Sequence, residues 1–226
     1  CPAWVRFIEM NYPDMLDIPS SCKSPQIMMG SMVKTYYANK TGIPAKDIVM
    51  VSVMPCTAKK AEAARSELGT KDMRDVDYVL STRELGRMIK LYGIDFKGLE
   101  EGKFDKLMGE SSGAGTIFGT TGGVIEAAIR TASEWLTGKE LEKIEFEELR
   151  GLKGIRGAQV KIGDLNLKVG IAHGLGNARK LLDGIRSKKY DFDAIEIMAC
   201  PGGCIGGGGQ PYHHGHEEIL LKRQRA

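Results

Sequence analysis

Cys200 and Cys204 stand four apart in the segment Glu196-Ile-Met-Ala-Cys-Pro-Gly-Gly-Cys-Ile-Gly-Gly-Gly-Gly-Gln-Pro211. Gly202, Gly203 and the run 206–209 strip side chains from around the two thiols. A bulky inorganic cluster needs that: the backbone must come close and adopt positive φ, which glycine alone does at no steric cost. Backbone N–H groups in such a loop can also point at anionic sulfides. Thiolate ligands favour an iron–sulfur cluster or zinc. The bland alternative is a glycine loop holding two incidental cysteines. Zinc sites usually pair two short-spaced knuckles, whereas Cys1, Cys22 and Cys56 are single and distant. The two-residue spacing of local ferredoxin motifs is absent as well. A four-thiolate site must therefore be assembled by the fold from Cys200, Cys204, Cys56 and one of Cys1 or Cys22.

Cys56 lies in a second chemical segment, Met54-Pro-Cys-Thr-Ala-Lys-Lys-Ala-Glu62. Lys59 follows it by three residues and is placed to donate to an anionic ligand; read alone, it is a solvated helix lysine. A third segment opens the chain, Cys1-Pro-Ala-Trp4, with Ser20-Ser-Cys-Lys-Ser-Pro-Gln26 downstream. Ser20 or Ser21 reads as a cap or turn residue. The tail Tyr212-His-His-Gly-His216 reads as a solvated loop rather than a metal site.

The elements that must position these residues alternate between strand and helix. Helices are expected over 24–40, 58–68, 82–92 (capped by Ser81 or Thr82), 124–136 and 174–187. Strands are expected over 47–53, 76–80 and 192–198. Residues 159–165 and 167–172, joined near Asp164-Leu165-Asn166, read as a hairpin or two sequential strands. Residues 109–123 read as a glycine-rich loop. Short apolar strands alternating with helices define an α/β fold with mostly parallel sheets and no clear domain boundary. Sites in such folds sit at the carboxyl ends of strands. Strand 47–53 runs into Met54-Pro55-Cys56, and strand 192–198 into Ala199-Cys200.

The 226 residues are 42% apolar and 27% charged, enough for a sizeable core. A net charge of +3 without basic–aromatic runs gives no reason to expect nucleic acid. No apolar stretch approaches the ~18 residues of a membrane span. Five widely spaced cysteines without a secretory signal suit reduced thiols in a cytoplasmic setting. The chain opens on Cys1-Pro2 with an amphipathic turn and closes in a charged, helix-like run, 217–225. It is therefore expected to be a fragment of a longer chain.

Taken together, the three segments resemble the H-cluster domain of iron-only ([FeFe]) hydrogenases. That family carries Thr-Ser-Cys-Cys-Pro-x-Trp, Met-Pro-Cys-x-x-Lys-x-x-Glu and Glu-x-Met-Ala-Cys-x-x-Gly-Cys-x-x-Gly-Gly-Gly-Gln-Pro. The second is complete from Met54 to Glu62 and the third from Glu196 to Pro211; the first begins at its second cysteine, Cys1. The loop from Met108 to Gly123 is similar too. The resemblance implies two packed lobes with the H-cluster between them, over 1–226 as a partial domain lacking an N-terminal accessory region and a C-terminal closing segment. It implies a [4Fe–4S] cluster on Cys1, Cys56, Cys200 and Cys204, with Cys204 bridging to a diiron subcluster bearing CO, CN and a dithiolate. Lys59 would hydrogen-bond a cyanide. Met54, Met198, Phe118 and Gln26 would line the pocket, with Pro55 and Ala199 near cyanide or cluster. Ser20 matches a proton-relay hydroxyl. Cys22 has no ligand role and is expected to be a buried thiol. The family's proton-donating thiol precedes Cys1.

The implied activity is reversible reduction of protons to H2. Ferredoxin or NAD-linked subunits would exchange the electrons, and maturation proteins would insert the diiron unit. The alternative is a non-catalytic or sensory iron–sulfur relative. Met54, Lys59, Phe118 and Met198 argue against an assembly factor, because those positions serve the diiron pocket.

Overall fold

A computed structural model describes residues 1–110, 112–141, 147–148 (backbone only) and 154–225. The chain divides into two compact units. One comprises 2–111 and 208–212; the other comprises residue 1, 112–207 and 213–226.

The first unit opens with α1 (Pro2–Asn11). Trp4, Ile8 and Tyr12 recur every fourth residue and are buried as one stripe. Next come α2 (Pro25–Met32), a wide π turn (Val33–Tyr37) and α3 (Ala38–Thr41), closed by Gly42 at φ +70°. The helix expected over 24–40 is thus present but interrupted. The interruption coincides with Lys34, whose buried ammonium reaches Asp77 at 2.7 Å. Strand β1 (Val51–Met54) leads into α4 (Ala58–Ala63), and β2 (Tyr78–Ser81) leads into α5 (Thr82–Leu91). β1 and β2 pair in parallel, Val51 opposite Tyr78 and Met54 opposite Ser81. Pairing starts later than the apolar pattern suggests because Asp77 takes the Met50 N–H at 2.7 Å. α4 is shorter than expected: Ala64 and Arg65 bond back three residues, tightening its last turn. Ser81 caps α5 in a reciprocal capping box with Glu84. Ile27, Ala63 and Val76 form a core between helices and strands.

The second unit begins with α6 (Gly113–Ile117) and α7 (Gly123–Thr137). Its sheet has the order β3 (Glu147–Glu148), β4 (Ile155–Ile162), β5 (Leu165–His173), β6 (Ala194–Met198). β5 and β6 are parallel and joined by α8 (Leu175–Arg186), which packs on both. The other two pairings are antiparallel, so this sheet is mixed. The cause is local: Gly163, at φ +58°, and Asp164 close a two-residue hairpin, leaving Leu165 and Asn166 within β5. The region expected as a glycine-rich loop folds in part as α6. Ile125 and Ile129 of α7 pack on Val160, Ile162, Val169 and Ile171 of the sheet. Each such side chain, fully buried, contributes about 1.5–3 kcal/mol. α9 (Glu217–Arg225) ends the described chain. Both units are α/β, helices flanking sheets that contain parallel strands.

Candidate metal centre

In the second unit, β6 ends with buried Met198 and delivers Ala199 and Cys200. The loop that follows folds on its own backbone: Gly203 N–H donates to Cys200 O, Gly206 to Gly203 O, and Gly207 to Cys204 O. Gly202 and Gly203 adopt φ +75° and +96°. A Cβ on Gly203 would lie 2.7 Å from Thr121 N and 2.9 Å from Met198 Sδ; one on Gly206 would lie 2.1 Å from Pro201 O. Gly203 is thus required by space as well as by conformation, Gly202 by conformation and Gly206 by space. The loop rests on the segment holding Phe118: Thr121 N–H donates to Gly202 O at 3.1 Å, and Ile205 N–H to Gly119 O at 3.0 Å. Cys1 joins this unit. Its Sγ accepts from the Ala199 N–H at 3.5 Å.

Buried charge underlies the loop. Glu196 accepts from Gly122 and Ile125 N–H at 2.6 and 2.9 Å, capping the start of α7. Burial raises its carboxyl above the ordinary range, against the backbone donors and the Arg156 charge. Arg156 donates to Thr121 O at 2.9 Å. His173, at the end of β5, accepts the Gly202 N–H on Nδ1 at 3.2 Å. Burial, and then the Arg156 charge, lower the pKa of this histidine.

In the first unit, β1 delivers Met54, then Pro55 and Cys56 in the turn before α4. Gly209 packs directly on that turn. Its N–H donates to Pro55 O at 2.9 Å, and a Cβ there would lie 2.7 Å from Cys56 N. Arg83 clamps the same segment, through its N–H to Gly209 O and its guanidinium to Gly208 O. Lys59 is held by Ser24 Oγ at 2.9 Å and Glu62 Oε2 at 2.8 Å. The same Glu62 oxygen accepts from Ser24 Oγ and from Gln26 Nε2, and Gln26 Oε1 accepts from Ser52 Oγ. Lys59 is therefore no solvated lysine: its side chain is 11% exposed and that of Glu62 9%.

Each strand-end cysteine lies where the sequence pattern puts it. Cys22 does not match its expectation. It is exposed, in a surface turn where Ser20 Oγ accepts its N–H at 3.1 Å and where neighbouring Lys23 pairs with Asp75. That polar turn keeps the thiol outward. Ser20 is thus a turn residue. Sequence reasoning left Ser24, Ser52 and His173 unassigned, and gave no role to Glu62 and Glu196 within their motifs. Glu62 had a signal, being three residues from Lys59 on one helix; His173 had none.

The donor set fits an iron–sulfur cluster. In the second unit two thiols belong to a loop stripped of side chains and a third, that of Cys1, sits against Ala199; in the first unit, taken by itself, Cys56 follows β1. Among the described residues, no three His, Cys, Asp or Glu side chains converge on a point that would hold a single metal ion. A cluster places each thiolate on its own iron, so its ligands do not share one point.

Thiols at strand ends and in a glycine-stripped loop are the chemistry of iron–sulfur proteins. The chain belongs to the family described as iron only hydrogenase large subunit, C-terminal domain, which matches residues 1–208. It is 57% identical over 223 residues to the NADP-reducing hydrogenase subunit HndD of Solidesulfovibrio fructosivorans, covering 99% of this chain and 38% of that protein. It is 48% identical over 220 residues to the periplasmic [Fe] hydrogenase large subunit of Nitratidesulfovibrio vulgaris, covering 97% and 52%. Protein NAR1 of Arabidopsis thaliana is 35% identical, covering 93% and 47%. A solved variant of [FeFe]-hydrogenase HydA1 from Chlamydomonas reinhardtii superposes with a TM-score of 0.86 at 42% identity, covering 100% of this chain and 64% of that one. The chain thus spans 38% to 52% of the length of these curated relatives.

Proposed function

We propose that this chain carries the H-cluster of an [FeFe] hydrogenase and that the full-length protein catalyses 2H⁺ + 2e⁻ ⇌ H₂. The observation that carries this reading is the buried Lys59 ammonium three residues after Cys56. Burying an ammonium costs several kcal/mol unless it is paired, and here the pair with Glu62 at 2.8 Å offsets that cost while leaving donor capacity over. Among the described residues, Ser24 and Glu62 take two of its three N–H donors. The third is left for an anionic ligand such as cyanide.

In this reading Cys1, Cys56, Cys200 and Cys204 would hold a [4Fe–4S] cluster, and Cys204 would also hold a diiron unit bearing CO, CN and a dithiolate. When bound, the group supplies one-electron exchange and the joining of protons with electrons. The chain's own residues bind and insulate it. Met54, Met198, Phe118 and Gln26 line the pocket, Pro55 and Ala199 flank the thiolates, and Glu62 and Ser24 hold the Lys59 side chain in place. Ser20 is assigned a proton-relay hydroxyl near solvent.

The electron partner is ferredoxin or an NAD(P)-linked subunit, the latter favoured by the name of the 57%-identical relative. Maturation proteins supply the diiron unit. No described helix is long and apolar enough to cross a membrane. We assign a cytoplasmic location from the five unlinked thiols; a relative named periplasmic shows that the family also occurs outside the cytoplasm. A second reading, a non-catalytic cluster carrier, is favoured by the likeness to protein NAR1.

The test is H2 evolution from a reduced viologen by the full-length protein, expressed anaerobically with maturation proteins. Evolution that disappears in Cys204→Ser supports the hydrogenase reading. A protein that holds iron and sulfide but evolves no H2 belongs to the second.

A further inference from the structure

We propose that His173 is a positioning residue for the Cys200–Cys204 loop, accepting the Gly202 N–H on Nδ1 and so fixing the peptide between the two thiols. The inference rests on the cluster-binding role of that loop stated above.

Gly202 is gripped on both sides. Its carbonyl accepts from Thr121 N–H at 3.1 Å, and its N–H donates to His173 Nδ1 at 3.2 Å. The first grip is backbone to backbone and independent of side-chain identity. The second is made by one side chain. It reaches the loop because β5 and β6 run parallel with His173 opposite Met198, two residues before Cys200. An imidazole offers an acceptor nitrogen only while neutral. The setting keeps it so: the ring is partly buried and the Arg156 guanidinium lies nearby. Accepting on Nδ1 puts the ring proton on Nε2.

Without an acceptor at this position the Gly202 amide loses its partner or turns to find another. Gly202 is at φ +75° and carries no side chain to resist rotation. Either outcome changes how the loop presents Cys200 and Cys204 and which N–H groups face their sulfurs. Hydrogen bonds near cluster sulfurs tune both retention and potential.

His173→Phe keeps the ring and removes the acceptor. His173→Asn places Oδ1 where Nδ1 was and keeps it. Both are made in the full-length protein, with His173→Leu in reserve where the Phe variant does not fold. Each is loaded anaerobically with iron and sulfide and challenged with excess EDTA. Decay of the sulfide-to-iron absorption gives retention, and a redox titration gives the cluster midpoint potential. The expected result is cluster loss about 10–100-fold faster in His173→Phe, with a shifted potential, and near wild-type behaviour in His173→Asn. A His173→Phe variant that matches wild type in both readouts overturns the inference, as does an Asn variant as labile as the Phe variant. Wild-type protein that takes up no cluster overturns the cluster-binding reading and this inference with it.

Discussion

The Cys1 thiol lies 3.5 Å from the Ala199 nitrogen, against the residue that precedes Cys200. The chain segment between them is nearly the whole molecule, so the contact is a product of the fold and not of local sequence. It also separates two cysteines that chemistry alone left equivalent. Cys22 sits in a surface turn organised by Ser20.

Cys1→Ser is therefore expected to remove one cluster ligand, and Cys22→Ser none. Iron and acid-labile sulfide counts after anaerobic loading check this. Cys22→Ser should match wild type, while Cys1→Ser should fall well short. The reverse pattern would move the fourth ligand to Cys22.

Lys59 and Glu62 form a nearly buried pair, with Ser24 and Gln26 completing the carboxylate's partners. Removing one member strands the other's charge. Glu62→Ala is expected to lower unfolding stability by about 3 kcal/mol. Denaturant titration reads this directly. Lys59→Ala is expected to keep the cubane and weaken retention of the diiron unit, read as iron per chain after maturation. Unchanged diiron occupancy would count against the role given to Lys59.

Two neighbouring glycines should differ sharply. A Cβ on Gly209 meets Cys56 N and Pro55 C at 2.7 Å, and neither backbone atom can yield. A Cβ on Gly208 meets only Thr57 Oγ1, at 3.5 Å, an ordinary contact. Gly209→Ala is expected to cost about 2 kcal/mol and to disturb cluster loading through the Cys56 turn. Gly208→Ala should stay within about 0.5 kcal/mol of wild type. Equal effects would show that the close approach to Cys56 is unimportant.

The α5 cap sets an acid limit. The hydrogen bond from Lys60, then those from Ser81, draw the Glu84 carboxyl down to about 2 from its ordinary 4.5. Between those values the unfolded chain binds the proton that the folded chain refuses. The Glu84 contribution is thus complete above 4.5 and is lost as pH falls through about 2. Stability against pH should be flatter across that window in Glu84→Gln. The pair is exposed, so added salt should shrink the difference.

The fold was legible where periodicity ran long. Helices α5, α7 and α8 fall within about two residues of their expected ends, which is the usual reach of pattern reasoning. It was less legible where a distant side chain intervened. Asp77 delays β1 by claiming Met50, and buried Lys34 accompanies the π turn that splits the helix over 24–40. Both partners lie at least 27 residues away, beyond any local pattern. The cysteine motifs stood out because cysteine and glycine spacing is itself chemistry. Glu62 was visible but silent, since its three hydrogen bonds appear only once the chain has folded. His173 was invisible: it reaches the loop from a neighbouring strand.

A diiron unit with CO and cyanide beside the cubane is what separates the proposed hydrogenase from a cluster carrier. Infrared spectroscopy of the full-length protein, matured anaerobically, tests it most directly. Bands from iron-bound CO and cyanide are expected, with the cyanide bands displaced in Lys59→Ala. Iron–sulfur absorbance without those bands would contradict it and leave a cluster carrier whose buried Lys59 serves something else.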